Sequence, residues 1–301
     1  MAWGKIYEST WWGSPIINGW GGAYFNPSNG SGGGGVGISY SEELDFVWEA
    51  PTISGSLNRT VQSYGATNYT VDWGDGTIDT NLSGNATHTY TSSSSNSSIN
   101  IKMSGDLSNL GGCLYDFRSQ ISSINSFGTS IEWKELKGGL FNRGSLYQAP
   151  LITSIPFASL KLAPISEQTG NKVRFDTFAR YSTGLTSIDF TGFDSSRVVG
   201  FINPFRDANV TSITFDPNQN FSSIGLEGQG FIYLSNYHLS PTAQMTTEQY
   251  DSFLLALAST APLNGIRVTV NCGSVQYSET GAISRATLIA NNYNITDGGQ
   301  I

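Results

Sequence analysis

The chain has 301 residues, room for two or three modules; only 13% of them are charged, while Gly, Ser, Thr and Asn are used heavily. That composition favours strands, turns and loops over helices. A net charge of −8 without any cluster of Lys and Arg excludes binding to a phosphate backbone by counterion release, so nucleic acid is not an expected partner.

Residues 1–45 crowd Trp3, Tyr7, Trp11, Trp12, Trp20, Tyr24 and Phe25 ahead of the glycine run Gly32 to Gly35. So short a segment has no core of its own, and indoles at this density need another surface to cover them. Aromatic anchors are also what interface centres are built from, so these seven residues are expected to dock on a partner or on another copy of the chain. The glycines then form a linker. The first residues show neither the basic stretch nor the apolar stretch of a secretory signal, and no run of about 18 apolar residues is present to span a membrane.

Residues 46–104 form the second unit. Tyr69-Thr-Val-Asp-Trp-Gly-Asp-Gly-Thr77 alternates apolar and polar residues into a Gly-Asp-Gly turn, the pattern of a β-hairpin. His88-Thr-Tyr90 follows, and Ile99, Ile101 and Met103 alternate in a later strand. The Trp-Gly-Asp-Gly turn followed by His-Thr-Tyr resembles the polycystic-kidney-disease (PKD) type of immunoglobulin-like β-sandwich over about 60 residues. A serine-rich loop, Ser92 to Ser98, replaces the Gly-x-Tyr of that family. Asp72, Asp75 and His88 have the chemistry for acid–base work or metal binding. An Asp beside Gly ordinarily serves its own backbone, however, and the resemblance implies that Asp72, Trp73, Gly74, Asp75, Gly76, His88 and Tyr90 shape the turn and fill the sandwich.

Residues 105–240 repeat. Ile152-Thr-Ser-Ile-Pro-Phe157, Leu185-Thr-Ser-Ile-Asp-Phe190 and Val210-Thr-Ser-Ile-Thr-Phe215 almost superimpose, and Ile121-Ser-Ser-Ile124 and Phe221-Ser-Ser-Ile224 are looser copies. Each copy is expected to be a short strand whose apolar face is buried by stacking on its neighbours, as in a solenoid. The run from Leu185 through Asp194-Ser-Ser-Arg-Val-Val199 to Phe201 and Phe205 is similar to the BspA-type leucine-rich repeats and the related mycoplasma-lipoprotein repeats. Irregular spacing places inserted loops between rungs, for example Lys161 to Lys172, where a variable binding surface is expected.

Residues 241–301 close the chain. Thr246-Thr-Glu-Gln249 fits a capping box, and Tyr250, Phe253, Leu254 and Leu257 mark one face of the helix it starts. Ile266 to Val270 is then a strand, Ala282 to Ala290 a second helix and Tyr293 to Thr296 a closing strand. Together they supply an α/β cap for the open end of a solenoid. The expected class is thus mainly β: an immunoglobulin-like sandwich, an irregular leucine-rich-repeat solenoid and a small α/β C-terminal cap.

Chemistry-bearing groups are sparse. His88 and His238 are the two histidines, and no nucleophile elbow or phosphate loop is present. Glu132 and Glu135 offer the two acids a glycosidase needs, but nothing places them across a cleft. Asp194, Asp207 and Asp216 stand near repeat loops and offer the oxygens that calcium takes, but no Asp-rich loop of definite spacing supports a site. Cys113 and Cys272 lie far apart in sequence; two cysteines leave a single disulfide open, and the favoured reading is two separate buried thiols. No catalytic residue, cofactor or metal is expected. The N-terminal 13 residues also resemble the starts of small structural proteins in phages of Bacteroidetes hosts. The expected function is that of a non-enzymatic virion protein, either capsid decoration or a fibre or receptor-binding component. It would contact other virion proteins and its own copies, and face a glycan or protein of the host surface. A bacterial surface adhesin of the leucine-rich-repeat class is the alternative, and a polysaccharide depolymerase stands behind it.

Overall fold

The computed structural model describes residues 42–63, 65–107, 114, 116–133, 148–164, 175, 178–226, 230–234, 245–261 and 267–301. The chain divides by its contacts into Met1–Ile38 and Ser39–Ile301, and all described residues belong to the second unit. The seven N-terminal aromatic residues and the glycine run lie outside the described residues, as do Cys113, Glu135 and His238.

The described unit is mainly β, with several sheets. Its first part holds seven strands: β1 (Leu44–Glu49), β2 (Ser56–Val61), β3 (Thr67–Asp72), β4 (Ile78–Ser83), β5 (Ala86–Thr91), β6 (Ser98–Asp106) and β7 (Ile121–Phe127). Five of them make an antiparallel sheet in the order β4-β3-β6-β1-β7, and β2 and β5 pair as a separate antiparallel ribbon. Alternation decides which side chains turn inward: Ile99, Ile101 and Met103 of β6 are buried, with polar residues between them. The two layers meet where Trp48 of β1 packs on Tyr90 of β5, ring centroids 4.9 Å apart. Phe117 closes the same core edge-on against Phe46 and Trp48.

One expected rung belongs elsewhere. Ile121-Ser-Ser-Ile124 is not a loose copy of the stacked repeat but part of β7, antiparallel to β1. The register jumps between Asp45 and Phe46 and again between Val47 and Trp48, and each jump skips one residue of β7. These bulges bring Ile121 opposite Trp48 and Ile124 opposite Phe46, so an apolar spacing of three serves a strand whose ordinary period is two. The first sheet therefore extends past residue 104. At its other end β1 begins at Leu44, so a boundary at 45 would cut away a fully buried residue.

From Glu132 onward the pairing becomes parallel. Strand β8 (Glu132–Trp133) pairs with β9 (Lys161–Leu162), and β10 (Ser187–Asp189) pairs with β12 (Ser212–Thr214). The second pairing sets Ser187 beside Ser212, Ile188 beside Ile213 and Asp189 beside Thr214, so the second and third copies of the repeat stack in register. Strands β11 (Phe201–Ile202), β13 (Gly230–Tyr233), β14 (Val268–Asn271) and β15 (Tyr293–Thr296) form one parallel sheet in that order. Helices α1 (Thr247–Thr260) and α2 (Glu279–Ala290) are the crossovers between its last three strands. The C-terminal α/β segment thus shares a sheet with the repeat region.

Side chains stack as the strands do. Phe190 lies 5.0 Å from Phe215 with the rings 13° from parallel, Phe157 lies 4.5 Å from Phe190, and Phe253 of α1 continues the column 4.9 Å from Phe215. A second column runs from Phe175 to Phe201, 5.3 Å apart, and on through Ile232, Val270 and Ile295, which face one another across successive strand pairs. The first copy of the repeat contributes its Phe but no strand: Pro156 occupies the place of Asp189 and Thr214, and the chain turns into a short 3-10 helix at Phe157–Ser159. A proline has no N–H to give to a ladder, which ends the pairing there. Phe221-Ser-Ser-Ile224 is a turn rather than a strand. Its Ser223 hydroxyl donates to the Ser196 carbonyl and the N–H of Gly225 to the carbonyl of Val199, which matches it to the 3-10 turn of the rung before.

Candidate functional site

The turn between β3 and β4 assembles the sequence-singled residues into one cluster. Trp73 N–H donates to Thr77 O at 3.0 Å and closes the turn. Inside it the Asp72 carboxylate accepts from Gly74 N–H at 2.9 Å and the Asp75 carboxylate from Thr77 N–H at 3.1 Å. Gly74 (φ +75°) and Gly76 (φ +95°) take left-handed backbone. At Gly74 a side chain is excluded twice, because a Cβ would also strike the carbonyl of Asn100 on β6.

Strand β5 brings His88 and Tyr90 under this turn. The His88 ring stacks on Trp73, centroids 5.0 Å apart and planes 18° from parallel, and meets Tyr90 edge-on at 4.6 Å. His88 Nε2 is 2.8 Å from the second oxygen of Asp75. Tyr90 donates its hydroxyl proton to the Trp73 carbonyl at 2.8 Å, and Trp73 Nε1–H donates to Asp79 at 2.8 Å. Burial alone would raise the Asp75 carboxyl; hydrogen bonds from His88 and from the Thr77 backbone outweigh it and hold the pKa below its ordinary value. Burial pushes the Tyr90 hydroxyl well above the usual tyrosine range. Asp79 and Asn100 belong to this site and were not singled out in the sequence: Asp79 reaches back six residues to a side chain, and Asn100 comes from a distant strand. Each carboxylate and ring here is bonded to the turn or joins it to β4 and β5, the pattern of a structural clasp.

The other acidic candidates are scattered. Asp207 is buried and shared by two guanidinium groups, Arg180 Nε at 3.1 Å and Arg206 Nε at 3.5 Å. Glu132 pairs with Lys161 across β8 and β9 at 2.9 Å. Asp194 caps the 3-10 turn Ser195–Arg197, and Asp216 accepts from the N–H of Asn218. Among the described residues no three His, Cys, Asp or Glu side chains converge to hold a metal, and no helix is long and apolar enough to cross a membrane. Cys272 is a buried free thiol whose pKa burial drives far up.

The C-terminal segment carries a half-buried ion pair absent from the sequence expectations. Arg285 of α2 donates to both oxygens of Asp297, at 2.8 and 3.3 Å, and Tyr250 of α1 donates to the same carboxylate at 2.9 Å. The Arg285 guanidinium also lies over the Tyr277 ring at 5.0 Å. Asp297, just past β15, thereby ties both helices to the last strand. A shallow cleft of about 450 Å³ opens between the N-terminal ends of the helices, walled by Glu248, Asp251, Leu255, Thr280 and Ile301. Asp251 is engaged there by the N–H and hydroxyl of Ser278.

Set beside known protein families, curated proteins and solved structures, the chain finds no match.

Proposed function

We propose that this chain is a non-enzymatic component of a bacteriophage particle, a capsid decoration or a fibre or receptor-binding part. It docks through Trp3, Tyr7, Trp11, Trp12, Trp20, Tyr24 and Phe25 and displays its folded unit outward. In this proposal β1 to β7 are a PKD-type immunoglobulin-like sandwich, the stacked rungs from Glu132 are an irregular leucine-rich-repeat solenoid, and the segment from Met245 is its cap. The antiparallel five-stranded sheet facing the β2–β5 ribbon supports the first assignment, and the in-register stacking of β10 on β12 supports the second.

The observation that carries the functional part is where the reactive groups go. Asp75 is bound to His88, Asp207 to two arginines, Glu132 to Lys161 and Asp297 to Arg285 and Tyr250. These groups hold the scaffold, and the exposed turn edges are rich in hydroxyl and amide side chains such as Ser187, Thr211, Asn218 and Asn220. Such a surface suits contact with a glycan or a protein, and many copies on one particle would make weak contacts effective.

The test compares the full chain with residues 42–301, a cut that spares β1. Both are added to phage particles prepared without the protein, and the particles are sedimented. The full chain is expected in the pellet. The shortened chain is expected in the supernatant with an unchanged far-ultraviolet circular dichroism spectrum. Pelleting of both would move the docking surface into the folded unit. Failure of the full chain to pellet would overturn the phage assignment and leave a bacterial surface adhesin in its place.

A further inference from the structure

We propose that the outer edge of β15 and the exposed face of α2 form an interface with a second copy of this chain, the two β15 strands pairing antiparallel across a two-fold axis. Strand β15 ends its sheet: in the order β11-β13-β14-β15 no strand lies beyond it among the described residues. The Thr296 carbonyl accepts from Cys272 N–H at 3.0 Å on the β14 side. Peptide groups alternate along a strand, so the N–H and carbonyl of Ile295 point away from β14, to the open side. The chain after β15 does not cover them: Gly298, Gly299 and Ile301 bond back to Val275 and Tyr277, in the segment that follows β14.

An open edge is a template for another strand, and folded chains ordinarily blunt it with bulges, Lys or Pro. Strand β4, at the edge of the antiparallel sheet, is blunted in this way: its register against β3 shifts twice, and Asn81 takes left-handed backbone at φ +54°. Strand β15 keeps unbroken register with β14 from Tyr293 to Thr296 and has neither Lys nor Pro. The helix beside it is exposed on an apolar side. Gly281, Ser284 and Leu288 of α2 are buried, while Ile283, Ala286, Ile289 and Ala290 are exposed, Ile283 by 77% and Ile289 by 46%. Thr280 faces α1 across the shallow cleft, and Ile289 follows about two and a half turns later, on the side of α2 away from α1 and toward the open edge.

Charge decides the occupant. The chain carries a net charge of −8, yet from Ala286 to Thr296 there is no Asp, Glu, Lys or Arg. A two-fold contact lays a surface on itself, so each charge near the axis would meet its own like. A stretch free of charge on an acidic chain meets that condition, and it offers a charged partner nothing to pair with. A two-fold through Ile295 lets each Ile295 N–H donate to the carbonyl of the other, and it sets Asn294 opposite the second copy's Thr296. Strands lie about 4.8 Å apart in a sheet, and a crossover helix covers the two strands it joins. Pairing therefore brings α2 about 10 Å from its copy, the spacing of packed helices, with Ile289 between them. None of this depends on the phage assignment.

The experiment measures the mass of the full chain by sedimentation equilibrium between about 1 and 100 μM, the range in which small specific interfaces associate. A concentration-dependent dimer is expected. Ile289→Lys sets like charges face to face and should weaken the dimer about tenfold or more, with helical circular dichroism unchanged. Ile78→Lys, at an apolar position of similar exposure on β4, should leave it intact. The register is read by cross-linking at two exposed positions. A mixture of Asn294→Cys and Thr296→Cys chains should oxidise to a covalent dimer several-fold more than either chain alone. A wild-type chain that stays monomeric overturns the proposal, and so does a dimer that Ile289→Lys leaves unchanged or that both lysine variants weaken equally. If Ile289→Lys fails to fold, the cross-linking decides by itself: a mixture that cross-links no better than its components overturns the proposal.

Discussion

Gly74 and Gly76 sit two residues apart in one turn, both at positive φ, yet substitution should affect them differently. A methyl group at Gly76 meets open space, whereas at Gly74 it runs into the Asn100 carbonyl. Gly76→Ala is expected to cost about 1 kcal/mol, the price of the backbone conformation alone, and Gly74→Ala about 3 kcal/mol or more because β6 must also move. Urea denaturation of the two variants checks the order. Asp75 gives a pH prediction from the same turn. Its folded-state pKa lies below the ordinary carboxyl value of 3.8, so its contribution to stability is present above that pH and is lost as pH falls through the lower, folded value. Asp75→Asn should lower the urea midpoint at neutral pH and flatten the decline below pH 3.8. A variant with the wild-type slope would show that the His88 bond does not set the acid limb.

At the scale of elements the phenylalanine column is the feature to break. Phe190 touches Phe157, Phe193, Phe201, Phe205 and Phe215, so it joins three successive rungs and both columns. Phe190→Ala should cost about 3–5 kcal/mol, against roughly 0.5 kcal/mol or less for Ser187→Ala on the exposed side of the same strand. Removing the cap of α1 by Thr246→Ala, where both halves of the capping box form, should cost about 1 kcal/mol. Thermal melts of the three variants rank these effects. This is also the scale at which the sequence is most readable. The column was visible as three near-identical hexapeptides, the capping box and the buried face of α1 as a local pattern, and the β3–β4 turn as Trp-Gly-Asp-Gly. Each is written in contiguous residues. The assignment of β7 was not readable, because bulges give a strand the apolar spacing of the repeat and only pairing with β1 reveals them. The Arg285–Asp297 pair was hidden for a related reason: its meaning lies in a contact between helix and strand, which residue type alone does not announce. Pro156 was in plain view, and its lack of an N–H was the signal that the first copy would not pair.

For the folded unit as a whole, the boundaries drawn between modules matter less than the bonds across them. The antiparallel sheet is sutured to the first rung: Ser159 accepts from Phe127 N–H at 2.9 Å, and the indole N–H of Trp133 donates to the Phe127 carbonyl at 3.2 Å. The last rung is sutured to α1, where Thr260 accepts from Phe221 N–H at 2.9 Å and Phe253 packs on Phe215 and Phe221. One cluster of buried apolar residues runs unbroken from Leu44 to Tyr293. Separate modules with small polar contacts would unfold one by one, whereas a shared core couples them. Residues 42–301 should therefore unfold in a single cooperative transition. The sequence supplies a clean test, because of the three tryptophans left in this form Trp48 and Trp73 lie in the antiparallel part and Trp133 at its junction with the first parallel pair, while α1 and α2 lie at the C-terminal end. Tryptophan fluorescence then reports the first sheet and its junction, and helical circular dichroism reports the C-terminal segment. Coincident urea midpoints are expected. A fluorescence transition distinct from the helical one would show that the bonds through Phe127 and Ser159 do not couple the two ends. The effect of Asp297→Ala sharpens the test, since it strands Arg285 and Tyr250 beside a lost carboxylate at the far C-terminal end. With coupling, that change lowers the fluorescence midpoint as much as the helical one; without coupling, the tryptophans keep their wild-type midpoint.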